Sequence, residues 1–384
     1  MKLFINAATL KVGGGKSVLV NFLKSFDGLL NEGMRVLAVV PDLDECRQLQ
    51  LLNIQLDFVP SRLNSVFNRL ALDSWIMKKL EQTQPKVIFS MGNVALPVKN
   101  IPQLLLFHVP YPLYPESAVW KRMSLTESLY IKAMGLLIKS RMKYATHILL
   151  QTVSAQRRFG RTFGPIPSSV VPNGISLLSN DAPTSRYKFS NDQIHLLCLA
   201  RYYPHKNVEV LLKVAELIRE RNAQIRIVTT VSTSDGNGAD KFINAIKSRS
   251  LNEIILNLGT VAMSEVPALY CQTDGLLLPT LLESYSQTYV ESMYFGRPIF
   301  TSRLDFAVDV CGDNAYYFNP LDPEDIYNVL TAAFQHKDKL QQKVENARQL
   351  VSLMPTWPDI SQNILTLIRA QYEQFSKNNT LSIP

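Results

Sequence analysis

Glu283 and Glu291 stand eight residues apart around the polar run Ser284-Tyr285-Ser286-Gln287, directly after an apolar stretch at 276–279. If a helix opens near Ser284, eight residues make just over two turns and bring both carboxylates to a similar face. Carboxylates accept hydrogen bonds from sugar hydroxyls, and the first N–H groups of such a helix face an anion. The plainer alternative is a capping acid and an unrelated glutamate. Arg201 and Lys206 lie five apart in Arg201-Tyr202-Tyr203-Pro204-His205-Lys206-Asn207, between a strand-like and a helix-like stretch. A guanidinium fork and an ammonium point charge there can clamp a diphosphate, with two solvated loop cations as the alternative. His108 ends another apolar run and precedes Pro110, Pro112 and Pro115, which makes it a better active-site candidate than most lone histidines, with a structural or exposed histidine as the alternative.

Two further motifs point to less. Gly13-Gly14-Gly15-Lys16-Ser17 suggests a phosphate loop, but the ATP-binding pattern requires glycine where Leu10 stands, which disfavours a phosphotransferase. A glycine turn between strand and helix still lets backbone N–H groups approach a phosphate. Asp42-Leu43-Asp44 has the form of a metal-binding pair, yet it follows Pro41 at a strand end and reads as a solvated turn, so no metal site is expected.

These residues must be positioned by the elements between them. Apolar runs at 2–8, 35–40, 86–90, 103–107 and 148–152 read as strands, with a helical pattern at 17–30. A break over 169–190 carries Pro172, Asn173, Gly174 and Pro183. A second series follows: strands at 194–200, 225–230, 276–278 and 298–301, and helices at 208–221 and 357–375. Alternating strands and helices imply parallel sheets covered by helices. The expectation is α/β, with two doubly wound parallel-sheet domains facing a central cleft and ligand sites at the carboxyl ends of the strands. The boundaries are 1–170 for the first domain and 171–356 for the second, with a C-terminal helix beyond them in 357–384.

Composition bounds the rest. A chain of 384 residues, 46% hydrophobic and 19% charged, fills two domains and is neither disordered nor low in complexity. Four dispersed cysteines support neither a zinc module nor a disulfide scaffold, and free thiols fit a reducing compartment. No apolar run reaches membrane-spanning length, and the start reads as a strand rather than a signal peptide, so a cytoplasmic location is expected. Net charge is +8. The segment 117–161 carries Lys121, Arg122, Lys132, Lys139, Arg141, Lys143, Arg157, Arg158 and Arg161 against the single acid Glu127, which equals the whole excess. An anionic partner follows, a membrane surface or a nucleic acid. No nucleic-acid reading motif accompanies the charge, so nucleic acid is not expected. Treated as one helix, 117–143 places Lys121, Lys132, Lys139 and Lys143 in a stripe beside an apolar face of Trp120, Ile131 and Ile138, the pattern of a peripheral membrane helix.

Taken together, Glu283…Glu291 followed by Gly296-Arg297-Pro298, the run Val171-Pro172-Asn173-Gly174, and the pair Arg201…Lys206 resemble the family-4 retaining glycosyltransferases of GT-B fold. The family usually has glycine where Ser286 stands. The resemblance implies transfer of a sugar, with net retention, from a UDP- or GDP-sugar to a hydroxyl of a saccharide or lipid-linked acceptor, at the inner membrane face, with no metal or other cofactor. It implies that Glu283 binds donor-sugar hydroxyls and Glu291 the donor ribose. Arg201 and Lys206 would neutralise the diphosphate, and Ser284, Tyr285, Ser286 and Gln287 would line it. Gly15 would contact phosphate through its backbone, and His108 the donor sugar near the reacting carbon. The family's last helix crosses back onto the first domain, so the C-terminal helix in 357–384 would complete that domain. The rival readings are a nucleotide-sugar epimerase of the same fold and a basic nucleic-acid-binding protein.

Overall fold

A computed structural model describes residues 1–31, 33–63, 68–175, 187–190 and 192–380. The chain forms two compact units: Met1–Leu113 with Leu129–Ser176 and Pro355–Pro384, and Tyr114–Ser128 with Leu177–Met354. The segment 114–128 thus groups with the second unit, although its position in the sequence assigned it to the first. The centre of the expected linker, at 176–186 and 191, and the chain end at 381–384 lie outside the described residues.

The first unit is built on β1 (Lys2–Asn6), β2 (Arg35–Pro41), β3 (Ile54–Val59), β4 (Val87–Ser90), β5 (Gln103–Leu106), β6 (His147–Leu150) and β7 (Ser168–Val170). They form one seven-stranded sheet in the order β3-β2-β1-β4-β5-β6-β7. Every pair is parallel, with Phe4 of β1 beside Leu37 on one side and Ile88 on the other. Strands covered on both faces read as continuous apolar runs, and β4 and β5 are buried at every residue. The helix Trp357–Thr380 closes this unit. Its Trp357, Ile360, Ile364, Leu365 and Ile368 recur at helical spacing and share one core with Leu3, Ile5, Phe22 and Phe89. Gly174 lies against the start of that helix, where a Cβ would come within 2.6 Å of the Trp357 backbone. A glycine at the exit of the unit is therefore required by close approach.

The second unit repeats the plan with β8 (Ile194–Cys198), β9 (Ile225–Thr229), β10 (Ile255–Asn257), β11 (Gly275–Leu278), β12 (Ile299–Ser302) and β13 (Ala315–Phe318). The sheet is parallel, in the order β10-β9-β8-β11-β12-β13. In each sheet the strand order reverses once, between β1 and β4 and between β8 and β11. Those switch points open crevices at the strands' carboxyl ends.

Three expectations about local structure change. The glycines are not a loop: Gly13–Gly15 form the first turn of the helix Gly13–Asp27. The helix after β11 begins at Gln287 rather than near Ser284, because Ser286 holds φ +64°, which no right-handed helix admits. Glu283 and Glu291 therefore do not share a helix face. The basic stretch is not one helix either: Ala118–Lys121 is a short 3₁₀ turn, the α-helix runs Leu125–Arg141, and Met142–Tyr144 tightens again. Ile138 is 1% exposed and packs inward, so the apolar face expected through Ile131 and Ile138 is not the outer one. The exposed large apolar side chains of the α-helix are Leu125, Leu129, Tyr130 and Leu136.

Candidate active site

Each switch point carries a cluster of polar side chains. In the first unit β5 delivers His108 and the turn after β4 delivers Asn93, a residue in the left-handed region at φ +66°. The Asn93 carbonyl oxygen accepts from the backbone N–H of His108 at 2.7 Å and of Val109 at 2.9 Å. That orientation leaves its amide nitrogen to donate to His108 Nε2 at 3.2 Å. The imidazole proton is thereby assigned to Nδ1, which is buried and has no hydrogen-bond partner among the described residues. Burial pushes the ring down to about 4, so it is neutral at pH 7. His108 is therefore built to donate one hydrogen bond, not to carry charge. Gly15 stands next to it, where a Cβ would lie 3.9 Å from His108 Nε2 and 3.3 Å from Leu10 Cδ2. The helix that starts here has Val12 at its N-cap, no side-chain cap and no acid in its first turn. Its N–H groups thus keep their affinity for an acceptor or an anion.

In the second unit the loop after β8 carries Arg201 and Lys206, and the loop after β11 carries Glu283. Lys206 Nζ meets Glu283 Oε1 at 2.5 Å, with side chains only 16% and 12% exposed. Thr280 donates to the same carboxylate at 3.1 Å. Burial alone would raise the Glu283 carboxyl. Lys206, His205 and Thr280 outweigh it and hold the group below its ordinary range. His205 is pushed down to about 4 by burial, against the pull of Glu283, and is neutral at pH 7. The two loops are tied together beneath this pair. Leu281 N donates to His205 O at 2.7 Å, and the buried Asn207, at φ +56°, donates to Pro279 O at 2.9 Å and Pro320 O at 2.8 Å.

Arg201 stands apart from this pair. It is 55% exposed and its Nε bonds Asp235 at 2.8 Å, a carboxylate that is itself only 3% exposed. Asp235 also accepts from Tyr202 N at 3.0 Å and Ser232 N at 3.2 Å, so the guanidinium sits on a fixed carboxylate. The structure thus brings Lys206 to Glu283 and Arg201 to Asp235. Glu291, inside the helix Gln287–Tyr294, accepts from the hydroxyl of buried Tyr270 at 3.0 Å. Burial raises its carboxyl despite that bond. Between the glutamates, Tyr285 is buried and pushed up to about 12, whereas Ser284, Ser286 and Gln287 stay partly open. The helix they precede has no side-chain cap and no acid in its first turn.

Asp42 grips Arg47 through two hydrogen bonds of 2.5 and 2.9 Å, which makes it a helix-side anchor. Asn93, Thr280, Asp235 and Tyr270 are the site residues that sequence reasoning missed. Asn93 follows a strand-like run in Ser90-Met91-Gly92-Asn93, a turn signal at a strand's carboxyl end that could have been read. Asp235 and Tyr270 join their partners across 34 and 21 residues, and nothing local marks them.

Known proteins share both the second unit's sequence and the architecture of the whole chain. The family of glycosyl transferases group 1 matches residues 183–350. Mannosylfructose-phosphate synthase of Agrobacterium fabrum is 22% identical over 193 residues, 48% of this chain and 42% of that protein. The match therefore spans about two fifths of that relative's length. Among solved structures, sucrose-phosphate synthase from Thermosynechococcus elongatus superposes with a TM-score of 0.78 at 14% identity, over 97% of this chain and all of that one. Anabaena HepE in complex with UDP-glucose superposes with a TM-score of 0.71 at 16% identity, over 96% of this chain and all of its own. With two parallel α/β sheets, each wound about a switch point, this chain has the GT-B fold, and its residues 183–350 match the family of glycosyl transferases group 1.

Proposed function

We propose that the protein is a nucleotide-sugar-dependent glycosyltransferase that moves a sugar, with net retention, from a UDP- or GDP-sugar to a hydroxyl of a saccharide or lipid-linked acceptor. The observation that carries the reading is the enclosed Lys206–Glu283 pair at the switch point of the group 1 domain. Breaking an anomeric bond to a diphosphate moves negative charge onto the leaving group. Fixed cations and an uncapped helix N-terminus stabilise that charge without reorganising. Lys206 and Arg201 serve the diphosphate in place of a metal, and Glu283 serves the hydroxyls of the sugar. The Gln287 helix start lies beside the phosphates, and Glu291 binds the ribose. His108, neutral and with a free Nδ1–H, donates to the donor sugar, and Gly15 offers backbone N–H groups. UDP-glucose in the complex of HepE supports a nucleotide-sugar donor.

A thermal-shift panel of UDP-, GDP- and ADP-sugars tests the donor, because a specific ligand raises stability with its concentration over its affinity. Glu283→Gln keeps the shape and weakens charge-assisted hydrogen bonds worth about 1.5–3 kcal/mol each, so turnover falls at least about tenfold. Near-normal transfer by that variant, correctly folded, overturns the assignment. Transfer that survives EDTA supports the metal-free reading.

The acceptor side of the reading includes an anionic membrane surface. On the helix Leu125–Arg141, Leu129 and Leu136 are 61% and 71% exposed, and Lys132 and Lys139 lie within about 80° of them at 3.6 residues per turn. An exposed leucine pair bordered by lysines is the pattern of an interfacial helix. No described helix is long and apolar enough to cross a membrane. Full-length protein sediments with anionic vesicles at low salt and is released at high salt, and Leu129→Ser with Leu136→Ser abolishes the pelleting. Failure of the wild type to pellet at low salt removes the membrane from the reading and leaves the transferase.

A further inference from the structure

At the outer edge of the second sheet, away from every residue assigned above, a recess of about 410 Å³ opens between β13, Arg303 at the end of β12, and the helices Pro323–Gln335 and Lys337–Ser352. Three permanent cations converge on it: Arg303, Lys339 and Lys343. His336, at the junction of the two helices, is a fourth nitrogen base in the lining, and Asp313 is its single acid. Among the described residues no carboxylate forms an ion pair with Arg303, Lys339 or Lys343.

The cations are held in place by groups that leave their charge unneutralised. The Lys343 ammonium lies over the Tyr316 ring at 5.3 Å and bonds the backbone oxygen of Asp313. The Arg303 guanidinium lies over the Tyr317 ring at 5.6 Å. Tyr316 is backed by Phe300, with ring centroids 5.2 Å apart, and Tyr317 is fixed by its hydroxyl bond to Gly312 O at 2.5 Å. Lys339 and Lys343 are one helical turn apart, a like-charge spacing that opposes the helix. Lys339 also lies in the first turn of its helix, where the dipole disfavours a cation. Burial, and then the neighbouring Lys339, lower the pKa of Lys343. A protein keeps such an arrangement at a stability cost that a bound anion would offset.

We propose that this recess binds a small phosphorylated molecule, a phosphomonoester whose dianion meets Arg303, Lys339 and Lys343. Three cations against one carboxylate leave a surplus that matches a dianion. The volume falls in the range of small-ligand pockets and exceeds what bare phosphate fills. The proposal is independent of the donor site, since the two share no residue.

The test is calorimetry and thermal shift on the full chain with inorganic phosphate and with glucose 6-phosphate, each with UDP absent and at saturation. Wild type binds glucose 6-phosphate in both conditions, and more tightly than inorganic phosphate. The variant carrying Lys339→Gln and Lys343→Gln loses at least tenfold in that affinity and keeps its response to UDP. It is at least as stable as wild type without ligand, because the like-charge pair is gone. Arg303→Gln loses affinity in the same direction and stands in should the double variant not fold. No glucose 6-phosphate binding by wild type, or equal binding by the variants, overturns the proposal. So does binding confined to vesicles carrying a phosphomonoester lipid, which transfers the anion to a headgroup. Loss of the UDP response in wild type bears on the donor reading alone.

Discussion

The polar groups at the first sheet's switch point are neutral, whereas those at the second are charged, and the two solve different problems with the same topology. His108, Asn93 and the uncapped helix at Gly13 offer fixed N–H donors and no net charge. Lys206, Glu283, Arg201 and Asp235 form two ion pairs, one enclosed and one half open. A neutral donor discriminates by position, and its loss costs one hydrogen bond. An enclosed ion pair ties function to stability, because neither partner can leave without stranding the other in a poor dielectric.

The largest effect follows directly. Lys206→Ala strands Glu283 and is expected to cost about 3 kcal/mol of stability, with turnover down at least about a hundredfold. Arg201→Ala, at a mostly exposed cation, costs under about 1 kcal/mol in stability. It weakens nucleoside diphosphate binding far more than nucleoside binding. Chemical denaturation and calorimetry on both variants check the pair. Equal stability losses would erase the distinction between the enclosed and the open bridge.

Acid sharpens the comparison next. His108 and His205 both titrate near 4 when folded and near 6.5 when unfolded. Between these values the unfolded chain takes up protons that the folded rings refuse, so stability falls as pH drops from 6.5 toward 4. Each ring contributes up to about 1.4 kcal/mol per pH unit. The half-buried His147 and the buried His195 are shifted down as well and add to the same slope. Glu283 acts at the opposite end of the same range. Its folded pKa is lowered, so its contribution persists above the unfolded carboxylate value and disappears only as pH falls through the folded one. Denaturation midpoints at pH 7, 6 and 5 fall progressively, and His205→Asn flattens the profile. A flat wild-type profile would mean that these rings are not enclosed.

The neutral site is probed by Asn93→Ala. The change leaves the N–H groups of His108 and Val109 without an acceptor and frees the imidazole. A loss of about 2 kcal/mol is expected. Transfer falls with nucleotide affinity kept, since no charge is touched. Asn93→Asp restores the acceptor to both N–H groups but not the donor to Nε2, so it recovers stability ahead of activity. Loss of nucleotide affinity in Asn93→Ala, which adds no charge, would contradict the division of labour.

Each cluster shows some of its members in the sequence and hides others, for a physical reason: His108, Lys206 and Glu283 stand out, whereas Asn93, Asp235 and Tyr270 do not. Charged residues in loops between apolar runs stand out by type. Strands buried on both faces, such as β1, β4 and β11, announce themselves as unbroken apolar runs. Edge strands do not: β3, β10 and β13 are partly exposed, mix polar with apolar residues, and went unread. Asn93 carries a turn signal but not its role, which depends on a left-handed turn and on residues after the next strand. The helix containing Glu291 was placed too early because sequence spacing carries no information on the sign of φ at Ser286. The basic stretch was read as continuous because charge has no period, and the break at 121–125 has neither glycine nor proline to mark it.

Ser286 gives the smallest effect and the finest test of the charged site. At φ +64° and ψ +95° it occupies a region that costs a residue with a Cβ roughly 1–2 kcal/mol, and glycine nothing. Against that stands one bond, between the hydroxyls of Ser286 and Thr288 at 2.9 Å. Glycine also loses somewhat more chain entropy on folding, by about 0.4–1 kcal/mol. Relief of strain is the larger effect, so Ser286→Gly is expected to gain a few tenths of a kcal/mol up to about 1. Ser286→Ala keeps the strain, loses the bond and is less stable than wild type. The functional consequence runs the same way. Without a Cβ at the turn before Gln287, the backbone N–H groups can approach a diphosphate more closely, so Ser286→Gly binds UDP at least as tightly as wild type. If it binds more weakly while being more stable, the serine hydroxyl itself touches the ligand, and the charged site would then owe part of its affinity to a neutral donor like the one at His108.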